Sequence, residues 1–134
     1  MRWHALLLLV PLLALGCGPR LGAVKGRVTL GGQPLANAAV NFQPMGNEVN
    51  TGIGSSGRTD ANGEYSLSLI DGKGDGAIVG KHRVMIRSIN PASGEDDRTR
   101  PPADRVPRRY NMDSELTFDV KPGTNVADFD LKSK

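Results

Sequence analysis

Cysteine, histidine and long apolar runs are scarce in this chain of 134 residues, and each shortage excludes a class of protein. The single cysteine, Cys17, cannot form an internal disulfide, so packing alone must stabilise the fold. Only His4 and His82 are histidines, too few for the usual zinc sites. The longest apolar run, residues 5–15, falls short of the roughly 20 residues that a membrane-spanning helix needs. A formal net charge of +3 is also too weak to indicate a nucleic-acid partner.

The N-terminal segment has the pattern of an export signal. Arg2 and His4 precede the apolar run, and Gly16 precedes Cys17. This ending resembles the bacterial lipoprotein signal, in which leucine, a small residue and glycine or alanine lead to the modified cysteine. We therefore expect residues 1–16 to be a lipoprotein signal peptide, residues 17–23 to be a tether, and residues 24–134 to be the folded domain. The resemblance implies that Cys17 carries more than one acyl chain, palmitate among them.

Two other outcomes remain open for this segment. Leu15 stands where the lipoprotein pattern has a small residue, whereas Ala14 and Gly16 form a small-x-small site for ordinary signal cleavage. Ordinary cleavage would leave Cys17 as a free thiol on a soluble exported protein. An uncleaved N-terminus would instead leave the protein in the cytoplasm.

Period-two alternation of apolar and polar residues predicts β-strands in the rest of the chain. In the first such segment Val24, Val28 and Leu30 share one face, opposite Lys25 and Arg27. The predicted strands are residues 24–30, 38–44, 65–69, 81–88, 116–120 and 129–132. No segment after residue 16 has a convincing helical period, and the strands recur about every ten residues. The pattern indicates an all-β fold of six or seven short strands, a β-sandwich of immunoglobulin-like type.

Glycine and asparagine indicate where the chain turns. Asn62-Gly63 predicts a hairpin, and Pro122-Gly123 predicts the turn between the last two strands. Residues 45–57 and 90–109 are expected to be loops. Gly26 would allow a close strand approach or a bulge. We expect Tyr65 to bury its ring and keep its hydroxyl in water.

Several of these residues together resemble the carboxypeptidase regulatory-like domain. The resemblance rests on residues 24–28 (Val-Lys-Gly-Arg-Val), residues 32–38, the Thr-Asp-x-x-Gly-x-Tyr pattern of residues 59–65, and residues 80–84. His82 stands where that family has an aromatic residue. The resemblance implies a seven-stranded, transthyretin-like β-sandwich that serves as a non-catalytic accessory or extracellular module.

Residues capable of chemistry are few, and their settings favour structural roles. His82 alternates with Val84, and no nucleophile elbow accompanies it, so we expect a structural histidine. The glycines of residues 52–57 fit a nucleotide-binding pattern, but no helix is predicted after them. Residues 60–64 and 71–75 resemble half of a calcium loop and lack the remaining oxygen ligands. We therefore expect no enzyme activity, no metal and no cofactor.

The expected function is that of a non-catalytic lipoprotein of the cell envelope, with a structural or protein-interaction role. The protein would be exported and held through Cys17 to a bacterial membrane, on the periplasmic or outer surface. The alternative is a binding module for an envelope polysaccharide or peptide. Arg108, Arg109 and Tyr110 are the candidate contact residues, because they end a long loop of mixed charge and Tyr110 is the aromatic residue expected to be free.

Overall fold

The alternating segments form two sheets that pack face to face as a β-sandwich. A computed structural model describes residues 20–46, 52–89 and 105–133. Its strands are β1 (Leu21–Leu30), β2 (Gln33–Pro34), β3 (Ala38–Pro44), β4 (Ser55–Arg58), β5 (Glu64–Ser66), β6 (Ser68–Leu69), β7 (Ala77–Ile78), β8 (Gly80–Ser88), β9 (Thr117–Val120), β10 (Gly123–Val126) and β11 (Phe129–Leu131). A single 3₁₀ turn, Arg108–Tyr110, is the helical element of these ranges. The predicted all-β sandwich is confirmed, although these ranges hold eleven short strands rather than seven.

The first sheet is built around β1. Strands β7, β5 and β2 are its antiparallel partners. Strands β10 and β11 are its parallel partners, with Lys25 opposite Val126 and Val28 opposite Phe129. Several short strands thus share one long strand, which explains much of the higher strand count.

The second sheet is antiparallel, in the order β6-β4-β3-β8-β9. Its inward residues meet those of β1 and β11 in the core. The ring of Phe42 lies 5.8 Å from that of Phe118 and 6.3 Å from that of Phe129, centroid to centroid. Val28, Val40 and other residues predicted to face inward are buried there, which confirms the alternation.

Two predicted boundaries are wrong. Strand β1 begins at Leu21 rather than Val24, because Leu21 pairs with Ile78 and Gly22 pairs with both Ala77 and Gly123. The last three of the predicted tether residues are therefore in the sheet, and residues 17–19 lie outside the described ranges. The predicted loop at residues 45–57 gives way to strand β4 at Ser55, which pairs with Phe42.

The two predicted turns exist, but the strands they join lie in different sheets. After Asn62-Gly63, β5 pairs with β1, and only the following β6 returns to pair with β4. After Pro122-Gly123, β10 pairs with β1, whereas the preceding β9 pairs with β8. Strand β10 itself is not among the predicted strands, because its residues are mostly polar or glycine.

Gly26 marks the closest approach between the backbone of β1 and the connection from β10 to β11. A Cβ built on Gly26 would overlap the carbonyl oxygen of Ala127 and lie 3.1 Å from the Tyr65 ring. The amide of Ala127 donates to the Lys25 carbonyl at 2.8 Å. Of the two options that the sequence left open, the structure has the close approach.

We predict that Gly26→Ala lowers the free energy of unfolding by about 1–3 kcal/mol, because the added methyl group overpacks fixed backbone. Gly74→Ala is the matched control. Its new Cβ would lie 3.0 Å from Cδ1 of Leu21 and 3.3 Å from Cδ1 of Leu69, which are ends of side chains rather than fixed backbone, so the loss should be smaller than at Gly26, about 0.5 kcal/mol. Denaturant unfolding of both variants provides the measurement. Equal stability of the two variants would contradict the constraint at Gly26.

Candidate functional site

The residues predicted as contacts, Arg108, Arg109 and Tyr110, form the 3₁₀ turn. Pro107 precedes the turn with a φ of −55°, which suits its start, and its carbonyl accepts from the Tyr110 amide at 2.9 Å. The Arg108 carbonyl accepts from the amides of Asn111 at 3.0 Å and Asp113 at 2.9 Å. The turn therefore presents its three side chains from a fixed backbone.

Two of these side chains fasten the turn to the end of β11. The Arg109 guanidinium lies 4.7 Å from the centre of the Tyr110 ring and donates to the Lys132 carbonyl at 2.7 Å. The Lys132 amide donates to the Tyr110 hydroxyl at 3.2 Å. We call this arrangement the Arg109–Tyr110 clamp. The prediction that Tyr110 is free is wrong, since its ring is half-buried and packs against the core.

A shallow depression of about 440 Å³ adjoins the clamp and is lined by Arg109, Tyr110, Asp113, Glu115 and Leu116. Arg108 points outward and pairs with Asp113 at 3.5 Å, both side chains being mostly exposed. A surface pair of this kind contributes little to stability. The depression offers charges of both signs and an aromatic edge, which suits binding of a polar ligand or partner.

The clamp lowers the pKa of Tyr110, because the Lys132 amide and the Arg109 side chain favour the phenolate. The other tyrosine behaves in the opposite way. Tyr65 is buried and donates its hydroxyl to the Ala127 carbonyl at 2.6 Å, so the prediction of a hydroxyl in water is wrong. Burial, followed by the negative charge of Asp128, raises the pKa of Tyr65.

His82 lies in the core, as its alternation with Val84 predicts. Its Nε2 atom is 2.7 Å from the Ile78 carbonyl, and its ring centre is 5.6 Å from that of Phe42. Ser55 is also fully buried, on β4. Neither Nδ1 of His82 nor Oγ of Ser55 has a hydrogen-bond partner among the described residues. Both groups are thus enclosed by packing and have no exposed surface at which to meet a substrate.

The residues that resemble half a calcium loop form a turn. The Asp60 carboxylate accepts from the amides of Asn62 at 2.9 Å and Glu64 at 3.0 Å. In residues 71–75, the Asp71 carboxylate accepts from the Lys73 amide in the same way. Of the glycines in residues 52–57, Gly52 and Gly54 precede β4 and Gly57 lies within it. Across the described ranges, no three histidine, cysteine or acidic residues are grouped to hold a metal.

A second surface feature was not predicted from the sequence. An open groove of about 760 Å³ lies beside β1 and β5, with three basic and three acidic side chains along it. These are Lys25, Arg27, Arg58, Asp60, Glu64 and Asp128. Alternation predicts that Lys25 and Arg27 face outward, but only the parallel pairing of β11 with β1 brings Asp128 beside them, where it accepts from the Arg27 amide at 2.8 Å. Balanced charge gives the groove no preference for ligands of one sign.

Cys17, the predicted lipidation site, lies outside the described residues. Within the described ranges, no helix is long and apolar enough to cross a membrane.

Comparison with known proteins adds little to this geometry. No protein-family model and no curated protein matches the chain. One similar solved structure is a DUF3823 family protein from Parabacteroides merdae, with 17% sequence identity and a TM-score of 0.49. The match covers 84% of this chain and 46% of that one, so the chain spans about half the length of the structure it resembles.

We predict that the two tyrosines ionise separately, Tyr110 below and Tyr65 above the ordinary pKa of about 10. Ultraviolet absorbance of the phenolate, followed against pH, should show an early step lost in Tyr110→Phe and a late step lost in Tyr65→Phe. Because the folded-state pKa of Tyr65 is raised, its stabilisation is complete below about pH 10 and declines as the pH rises further. A single ionisation step of both tyrosines at the ordinary pKa would contradict the opposite shifts expected for them.

Proposed function

We propose that this protein is a lipid-anchored, non-catalytic module of a bacterial cell envelope, with a structural or protein-interaction role. The observation that carries the proposal is the lipoprotein-like signal ending at Gly16-Cys17, followed by a β-sandwich whose first strand begins only four residues later, at Leu21. A lipid on Cys17 would hold the folded domain directly at the membrane, with almost no tether.

The position of the Arg109–Tyr110 clamp supports an interaction role. Lys132 follows β11, whose Leu131 pairs with Leu30 at the far end of β1. Strand β1 has ten residues, so its two ends at Leu21 and Leu30 are about 30 Å apart. An anchor at Cys17 would therefore leave the clamp facing away from the membrane, where a partner in the envelope approaches.

The burial of His82 and Ser55 supports a non-catalytic role. Hydrolysis by a histidine and a hydroxyl requires both groups to reach a substrate. These two groups are enclosed in the core, and His82 is engaged with the Ile78 carbonyl. We also propose that the domain is related to the carboxypeptidase regulatory-like family. In support, Thr59, Asp60, Gly63 and Tyr65 of the shared pattern each serve the fold.

We predict that the mature protein isolated from membranes begins at Cys17 and carries a lipid-sized excess of mass. The Cys17→Ser variant should lack this excess and leave the membrane fraction, because lipid can no longer be attached. Intact-mass spectrometry of both proteins is the measurement. An unmodified chain beginning at Cys17 would indicate a soluble exported protein and overturn the anchor, and an uncut Met1 would overturn export itself.

The depression beside the clamp favours a second candidate function, a binding module for an envelope polysaccharide or peptide. We predict that such binding is saturable and is lost when Arg108 and Arg109 are changed to alanine. Isothermal calorimetry with cell-wall polysaccharide and peptide fragments tests this. Arg87→Ala, an exposed arginine on β8, is the control for loss of positive charge. Equal weakening by the control would indicate unspecific attraction and argue against a site at the clamp.

A further inference from the structure

Large exposed hydrophobic side chains gather at one end of the sandwich. The described residues include five of them: Leu21, Met45, Ile70, Met112 and Val126. Leu21 starts β1 and pairs with Ile78. The Met45 amide donates to the Lys81 carbonyl at the start of β8, and the Ile70 amide donates to the Gly54 carbonyl just before β4. Because β1, β4 and β8 all begin at this end, Leu21, Met45 and Ile70 lie there together, and we call it the apolar end.

Glycine shapes the surface around these side chains. Cδ1 of Ile70 lies 3.1 Å from where a Cβ on Gly54 would be, and Cδ1 of Leu21 lies 3.0 Å from the same point on Gly74. Each of these two aliphatic groups therefore lies beside a residue that has no side chain. Ile70 is 63% exposed, although the preceding Leu69 is buried.

The loop that carries Ile70, between β6 and β7, satisfies much of its own backbone. The Gly72 amide donates to the Leu69 carbonyl at 2.9 Å, and the Leu69 amide donates to the Gly74 carbonyl at 2.8 Å. The Gly76 amide donates to the Leu67 carbonyl at 2.7 Å. A backbone paired in this way loses little when water is removed. The charged side chains of the loop, Asp71, Lys73 and Asp75, must stay hydrated, so the loop suits the polar interfacial layer rather than the hydrocarbon beneath it.

The chain itself limits the distance between the apolar end and the anchor. Leu21 is the fourth residue after Cys17, and an extended chain spans at most 3.3–3.6 Å per residue, so their Cα atoms are at most about 14 Å apart. The polar interfacial layer of a bilayer is about 5–7 Å deep on each side. A lipid on Cys17 therefore keeps Leu21 and its neighbours within reach of that layer.

Charge at this end is nearly balanced. The charged residues there are Arg20, Lys73, Lys81 and Lys121, against Asp71, Asp75 and Asp119. Lys121 is paired with Asp119 at 2.8 Å, and the Asp75 carboxylate accepts from the Ser68 hydroxyl at 3.2 Å. Neither an acidic nor a basic protein partner is favoured by such a surface. The headgroup layer of a bilayer, where polar groups of both charges lie over an apolar interior, suits this surface better.

We propose that the apolar end is a membrane-contact surface, and that Ile70, Leu21 and Met45 enter the interfacial layer beside the lipid on Cys17. This inference rests on the proposed lipid anchor and adds to it a fixed orientation. The domain stands on its apolar end with β1 pointing away from the bilayer, so the Arg109–Tyr110 clamp faces outward.

The test uses the lipidated protein, with its mass verified, in vesicles of phosphatidylcholine and phosphatidylglycerol. Because lipid occupies the sulfur of Cys17, a cysteine introduced by Ile70→Cys is the thiol that reacts with an environment-sensitive fluorophore. Gln33→Cys, exposed on β2 at the opposite end, is the matched control. We expect the label at position 70 to emit at shorter wavelength and to be several-fold less quenched by aqueous iodide than the label at position 33.

A second pair of variants tests the native side chain rather than the label. The fluorophore is placed through Lys73→Cys, on the same loop, in proteins that keep Ile70 or carry Ile70→Asp. The charged residue should draw the loop out of the layer and raise iodide quenching several-fold. Equal quenching in the two proteins would overturn the role of Ile70.

The outcomes separate this inference from the anchor on which it rests. In lipidated protein, equal iodide quenching of the labels at positions 70 and 33 would overturn the membrane contact. The lipid anchor would still stand. Protein without lipid overturns both proposals. If protection of the label at position 70 from iodide rises with the ratio of protein to lipid, a second copy of the protein covers the apolar end. That result would also overturn the membrane contact.

Discussion

The close approach of the Ala127 backbone to Gly26 is the constraint on which much of the first sheet depends. It occurs where β10 ends and β11 begins, and it lets both run parallel to β1. Tyr65 braces the same point through its hydroxyl bond to Ala127. Asn125 links β1 to the turn after β9. Its side-chain amide donates to the Ala23 carbonyl at 3.0 Å and to the Lys121 carbonyl at 2.8 Å. A side chain at position 26 would meet the Ala127 carbonyl and the Tyr65 ring and so disturb this approach.

Buried hydrogen bonds between distant residues link segments that a disulfide would join in many exported domains. Thr59 accepts from the Ala38 amide through its hydroxyl at 2.8 Å and so ties the start of β3 to the end of β4. Ser114 donates its hydroxyl to the Val84 carbonyl, and Arg83 donates to the Ser114 carbonyl at 2.9 Å. These bonds fix the segment before β9 against β8. Such bonds also favour one arrangement of the strands, because a buried donor or acceptor that is left without a hydrogen-bond partner costs free energy.

The two ends of the sandwich differ in chemistry. Glycine and aliphatic side chains surround the start of β1, whereas the Arg109–Tyr110 clamp closes the other end with hydrogen bonds to Lys132. Under the proposed anchor at Cys17, the end at Leu21 would face the lipid surface and the Arg109–Tyr110 clamp would face water.

The sequence by itself determined which side chains face the core. Alternation is a local property of extended chain, so Val40, Phe42, Val84 and the buried His82 were predictable from period two. The tertiary structure alone decided which strands pair. Asp128 reaches Arg27, and Lys132 reaches Tyr110, through contacts between residues far apart in the chain. Composition and spacing near one residue hold no information about a partner so distant, because that choice depends on how the whole core packs.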